Sequence, residues 1–191
     1  MSAKAGWSHS LTDFIDQVDE DVTQRARDIA IAMLSEVIER SPVGNPDLWK
    51  ANKDLRAKNT ALADAYDANV AVRNATNTSK KKFKLLTKRE REDNFFVKAQ
   101  ASGKGYVGGR YRGSHAVSIG APDLSVTENI DPSGNETLSK GSMLIKACGK
   151  YPVIYIQTNI PYGEMIELGH SSQAPNGVYD LAFISVSEAY K

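Results

Sequence analysis

One apolar stripe across residues 11–38 limits what this chain can fold into. Leu11, Phe14, Ile15, Val18, Val22, Ile29, Met33, Leu34, Val37 and Ile38 recur at intervals of three, four and seven, the period of one face of an α-helix. Ser10 followed by Asp13 offers a capping-box-like start. Asp13, Asp16, Asp19, Glu20 and Asp21 crowd the N-terminal half, where the helix dipole favours negative charge. Pro42 ends the pattern by driving Ser41 out of helical geometry. At ~1.5 Å per residue, the helix these signals predict is roughly 45 Å long. Its stripe must rest on a sheet or on a neighbouring subunit.

The 191 residues suit one domain carrying an insertion. Hydrophobic residues make up 41% and charged residues 25%, and the net charge is +1. Bulk charge therefore gives a polyanion no hold, and only its distribution is informative. The single cysteine, Cys148, forms neither an intrachain disulfide nor a multi-thiolate metal site. The opening residues MSAKAGWSHS lack the apolar core of a leader. No run approaches the ~18 apolar residues of a membrane helix. These features point to synthesis and first folding in a cytoplasm, with no membrane partner.

After the helix, Ser41–Lys50 holds two prolines, a glycine and an asparagine, the composition of an ordered loop, with Leu48 and Trp49 predicted to anchor it to the core. Residues 51–104 differ in character. A thin, alanine-rich helical stripe runs through Leu55, Leu62, Ala65, Ala68 and Val72, and Asn74–Ser79 breaks it. From Lys80 to Arg91, seven Lys/Arg stand against one Glu. Across 51–104 there are 13 basic and 6 acidic residues, an excess of +7, which leaves −6 for the remainder. This is a basic, partly helical insertion in a core formed by 1–50 and 105–191.

Strand signals begin beyond Gly105. His115–Ile119 alternates with period two, and residues 122–141 read as a long polar loop. Met143–Ala147 and Val153–Thr158 read as strands of an antiparallel hairpin joined through Gly149–Pro152. Tyr162–Leu168 reads as a short helix ending at Gly169, and residues 178–186 as a strand running into a helical turn. The fold class expected is α+β, a long N-terminal helix packed on an antiparallel sheet.

Catalytic and metal-binding patterns are sparse. His9, His115 and His170 have no helical metal-site spacing and no cysteine cluster beside them. His170, Ser171 and Asp180 compose a triad on paper, but no Gly-x-Ser-x-Gly elbow accompanies them. Gly108-Gly109-Arg110 matches neither phosphate-loop pattern; its glycines are read as allowing positive φ or close backbone approach. No enzyme and no cofactor is expected. The cations Lys80, Lys81, Lys82, Lys84, Lys88, Arg89 and Arg91 carry two readings. They form a solvated surface, or they meet DNA phosphates or an acidic surface on a partner. Phe83, Leu85, Leu86, Phe95 and Phe96 are interleaved with them as apolar anchors.

Three separated stretches together resemble the tail-component family of tailed phages typified by gene product 10 of phage HK97, whose members are called tail-completion, neck or minor tail proteins. They are Ser41-Pro42-Val43-Gly44-Asn45-Pro46-Asp47-Leu48-Trp49-Lys50, then Gly105-Tyr106-Val107-Gly108-Gly109-Arg110-Tyr111-Arg112-Gly113-Ser114. The third is Asn159-Ile160-Pro161-Tyr162 with Glu167–Gly177. The resemblance covers roughly 10–50 and 105–191 and leaves out 51–104. It departs from the family at His115 and Ala116, where a tryptophan is common. It implies a small α+β fold and a homo-oligomeric ring, usually a hexamer. That ring sits in the neck of the virion between the head connector and the tail-tube or tail-terminator proteins. Pro42, Trp49, Gly108, Gly109, Arg110 and Tyr162 belong to its motif. Glu167, Gly169, Gln173 and Pro175 are expected to fix the last loop by backbone hydrogen bonds and restricted φ. The competing function is a nucleic-acid-binding module built on the basic 80–104 segment.

Overall fold

The computed structural model describes residues 4–191, with side chains from Ser10 onward. Met1–Ala3, part of the terminus read for a leader, and the His9 side chain lie outside the described residues. The chain divides into two compact units. One joins the chain up to Gly44 with Gly108–Lys191, and the other is Asn45–Val107.

The first unit is built on α1 (Lys4–Arg40), 37 residues long, about 55 Å at the usual rise. It begins upstream of Ser10, so Ser10 and Asp13 lie within the helix and do not cap it. Nothing between Lys4 and Ser10 stops a helix, since a lone Gly6 costs only ~1 kcal/mol. The C-terminal half of α1 is buried on two rows. Ala30, Leu34 and Ile38 pack with Val117 and Ile145, beside Leu138, Ile154 and Ile156. Val37 and Met33 meet Tyr111, Ile160, Ala174, Val178 and Ala182. The first row covers a two-stranded antiparallel sheet of β1 (Ala116–Ile119) and β2 (Ile154–Gln157), paired from Ala116↔Gln157 to Ile119↔Ile154. The fold is thus α+β, with a long N-terminal helix and a small antiparallel sheet; α1 itself packs chiefly on the helices that contain Ile145 and Ala182, the first of which lies on β1.

Two elements differ from the sequence reading. Met143–Ala147 is no strand; it ends the helix α5 (Asn135–Ala147), and β2 pairs with β1 instead. Thr137, Gly141 and Ile145 are the buried residues of α5, a four-residue period that short apolar runs hide. The polar 135–141 stretch, read as loop, supplies much of that helix's solvent face. Likewise the 178–186 stretch is no strand: Val178 is the N-cap of α7 (Tyr179–Ala189), in which Ala182 and Val186 are buried one turn apart. The short helix before Gly169 is present as α6 (Gly163–Glu167).

The second unit is a long helix, α2 (Lys50–Thr76), along which residues 77–107 return through α3 (Lys88–Phe95). Few apolar groups hold it, Ala63 and Val70 being the buried ones on α2. Polar clamps do much of the work. Fully buried Asn52 donates to the carbonyls of Pro46 and Ser102, at 2.7 and 2.9 Å, and accepts from the amides of Ala101 and Ser102. Arg91 binds Asp64 and Asp67 at 2.7 and 2.6 Å. The Asn74 amide exchanges two hydrogen bonds with the backbone of Phe83. Leu48 and Trp49 are exposed. Trp49 packs on Tyr106, ring centroids 5.3 Å apart, inside this unit.

Candidate assembly surface

Three chain segments distant in sequence meet in one corner of the first unit. Gly108 and Gly44 touch backbone to backbone, and a Cβ on Gly108 would lie 2.0 Å from the Gly44 carbonyl oxygen. Gln173 donates to the Val43 carbonyl at 3.0 Å. Pro42 follows Ser41, which leaves α1 with its hydroxyl still bonded to the Val37 carbonyl at 2.7 Å. Arg112 binds the carbonyls of Glu39 and Ser41 at the α1 C-terminus and that of Pro132. Gly109 precedes the turn of α4 (Arg110–Gly113), and Arg110 pairs with Glu128 at 2.8 Å.

The last loop is fixed by a carboxylate. Glu167 accepts the N–H groups of Val178 at 2.8 Å, Tyr179 at 3.0 Å and Asp180 at 3.2 Å. It thereby caps the N-terminus of α7, whose first amides have no partners within the helix. Gly169 has φ +82°, and a Cβ there would come within 2.4 Å of the Pro175 carbonyl oxygen. Asp131 does for α5 what Glu167 does for α7. It is buried and accepts from Gly134 and from both the amide and hydroxyl of Thr137, bonds that hold its carboxyl below the usual range against the cost of burial.

Behind the corner runs a buried polar chain. Ser41 Oγ lies 2.6 Å from His115 Nε2, and His115 Nδ1 lies 2.8 Å from the Tyr179 hydroxyl. Because the Ser41 proton is committed to Val37, Nε2–H donates to Oγ and Tyr179 donates to Nδ1. Burial, aided by the nearby Arg112 charge, pushes the His115 pKa down to about 4, so the ring is neutral. Tyr111 packs edge-on against His115 at 5.0 Å and lies 6.5 Å from Tyr162. Sequence reading singled out none of Ser41, Arg112, His115, Asp131 or Tyr179 for these roles. His170 is exposed, and neither Ser171 nor Asp180 bonds to its ring among the described residues. No group of three or more His, Cys, Asp or Glu suited to a metal occurs there either.

Among several exposed apolar groups, Met143, Leu144, Leu168, Phe183 and Ile184 included, two surfaces combine bare apolar side chains with a run of one charge. The α1 row containing Val37 and Met33 is occupied by α7, and α7 ends beside Arg25, whose guanidinium donates to the Tyr190 carbonyl at 3.0 Å. One turn beyond, Val22, Val18, Ile15, Phe14 and Leu11 are bare, 41–62% exposed. Asp16 and Asp19, also on this half of the helix, hold Lys150. Asp13, Glu20 and Asp21 make no side-chain bond among the described residues.

The other surface is the basic segment of the second unit. Arg91 is spent on Asp64 and Asp67, Arg89 on Asp93 at 3.2 Å, and Lys82 on the carbonyls of Asn74 and Asn77. The Lys80, Lys81, Lys84 and Lys88 side chains are exposed and make no hydrogen bond or ion pair among the described residues. Phe83 and Leu85 between them are 54% and 56% exposed.

No family model, curated protein or solved structure matches this chain. Among the described residues, no helix is long and apolar enough to cross a membrane.

Proposed function

We propose that this chain is a structural protein of a tailed-phage virion, assembling into a ring of six copies in the neck that completes the tail and joins it to the head connector. The observation that carries the reading is the bare half of α1. Five large apolar side chains continue a row that is buried further along the same helix, and contiguous exposed apolar surface of this kind marks a protein-binding face. Further support comes from the corner. The stretches that resemble the phage family, widely spaced in sequence, contribute to one packed junction through Gly44 with Gly108 and Val43 with Gln173. In this reading the role is assembly, with no reaction to catalyse. Each copy presents two different patches to its neighbours, as closure of a ring requires, and its remaining faces meet the connector and the tail-tube or tail-terminator proteins.

Removing the coding sequence from the phage tests this. Filled heads and finished tails that fail to join, with joining restored by the chain supplied in trans, are the expected result. Complete infectious particles without the chain would end the proposal.

A further inference from the structure

The ring reading leaves open which surfaces meet, and the uncovered charge and apolar area narrow the choice. We propose that the N-terminal half of α1 in one copy docks on the 80–88 segment of the next. The inference rests on the ring reading and supplies its contact.

The two surfaces are complementary in both respects that matter. Residues 10–22 carry five carboxylates and no Lys or Arg. Of these, Asp13, Glu20 and Asp21 are unengaged, beside the exposed row Leu11, Phe14, Ile15, Val18 and Val22. Residues 80–88 offer four lysines without a hydrogen bond or close ion pair, of which Lys84 and Lys88 feel Glu90 and Glu92 only through space, beside exposed Phe83 and Leu85. That segment is presented by an ordered backbone. Asn74 pins Phe83, and Asp67 accepts the Leu86 amide at 2.8 Å.

The alternatives fit less well. Two α1 helices paired through their apolar rows would bring together Asp13, Glu20 and Asp21 of both copies, since Lys150 offsets only Asp16 and Asp19, a repulsive arrangement. A nucleic acid would satisfy the lysines but leave the α1 row bare. Docking α1 on 80–88 covers these two of the exposed apolar surfaces and opposes unlike charges, and it is head-to-tail, the kind of contact that generates rings.

The test uses full-length chains and their assembled mass at low salt. One variant carries Asp13→Lys, Glu20→Lys and Asp21→Lys; the other carries Lys80→Glu, Lys81→Glu, Lys84→Glu and Lys88→Glu. All seven positions are exposed, so helix content by circular dichroism should match the parent. Each variant alone should fall to the 20.8 kDa of a single chain. An equimolar mixture should regain the parent mass, because every contact in an alternating ring then pairs unlike charges. Assembly of either variant alone like the parent, or failure of the mixture to reassemble, overturns the inference while the ring reading stands. So does a lysine variant that assembles normally yet loses binding to duplex DNA, which would make nucleic acid the partner of 80–88. A parent chain that itself stays at 20.8 kDa removes the ring reading, and this inference with it.

Discussion

Ser41 Oγ and His115 Nε2 lie 2.6 Å apart in the interior, 74 positions from one another in sequence. The hydroxyl ends α1 and the imidazole begins the sheet, so one bond ties the helix terminus to the strand. Tyr179 closes the other side of the ring at 2.8 Å and brings in the start of α7.

This geometry sets a pH dependence. The imidazole titrates at about 4 in the folded chain, against 6.5 when unperturbed. Between those values the unfolded state binds the extra proton, so stability falls as pH drops through 6.5 and the loss is complete near 4. A shift of that size corresponds to roughly 3 kcal/mol. Denaturant melts at pH 7 and pH 4.5 should show most of this loss in the parent. His115→Gln, less stable at pH 7, should lose less over the same interval. Equal losses in both would contradict the assignment.

Glu167 should act through its acceptor oxygens. Glu167→Ala strips the amides of Val178, Tyr179 and Asp180 of their partner and should cost about 1–3 kcal/mol. Glu167→Gln keeps one acceptor and should cost less. Urea titration separates the two, and hydrogen exchange should quicken first in the opening turn of α7.

Gly169→Ala places a side chain at φ +82°, against the Pro175 carbonyl, and should destabilise by more than ~1 kcal/mol. Gly149→Ala meets no atom within 4 Å and should change stability little. Similar effects at the two positions would mean that the loop yields freely.

In the second unit, Asn52→Ala removes all four bonds of a buried amide. The local cost should be roughly 2–3 kcal/mol. Limited proteolysis should then cut within 99–104 faster than in the parent, while hydrogen exchange in α5 and the sheet stays unchanged.

What was legible in the sequence follows from how local each signal is. The row from Leu11 to Ile38 declared α1 because its period repeats many times. His115–Ile119 and Val153–Thr158 declared the two strands, and Gly169 marked the end of α6. Met143–Ala147 failed because five residues carry too little of a 3.6-residue period to exclude a strand, and its helix begins in residues as polar as any loop. The partner of β2 was lost with it. For the corner, resemblance pointed to Glu167 and Gln173, whose bonds to Val178 and Val43 are observed. Ser41, His115 and Tyr179 had no such signal. Their meeting depends on tertiary packing across 74 and 64 positions.

The central claim is that this chain serves by being buried against copies of itself in a virion neck. A symmetry-free density map of the neck in purified particles addresses it most directly. The account predicts a closed ring of this chain, six copies around, with Leu11, Phe14, Ile15, Val18 and Val22 covered by the adjoining copy. A complete neck containing no copy of the chain, or copies with that row still facing solvent, would contradict it.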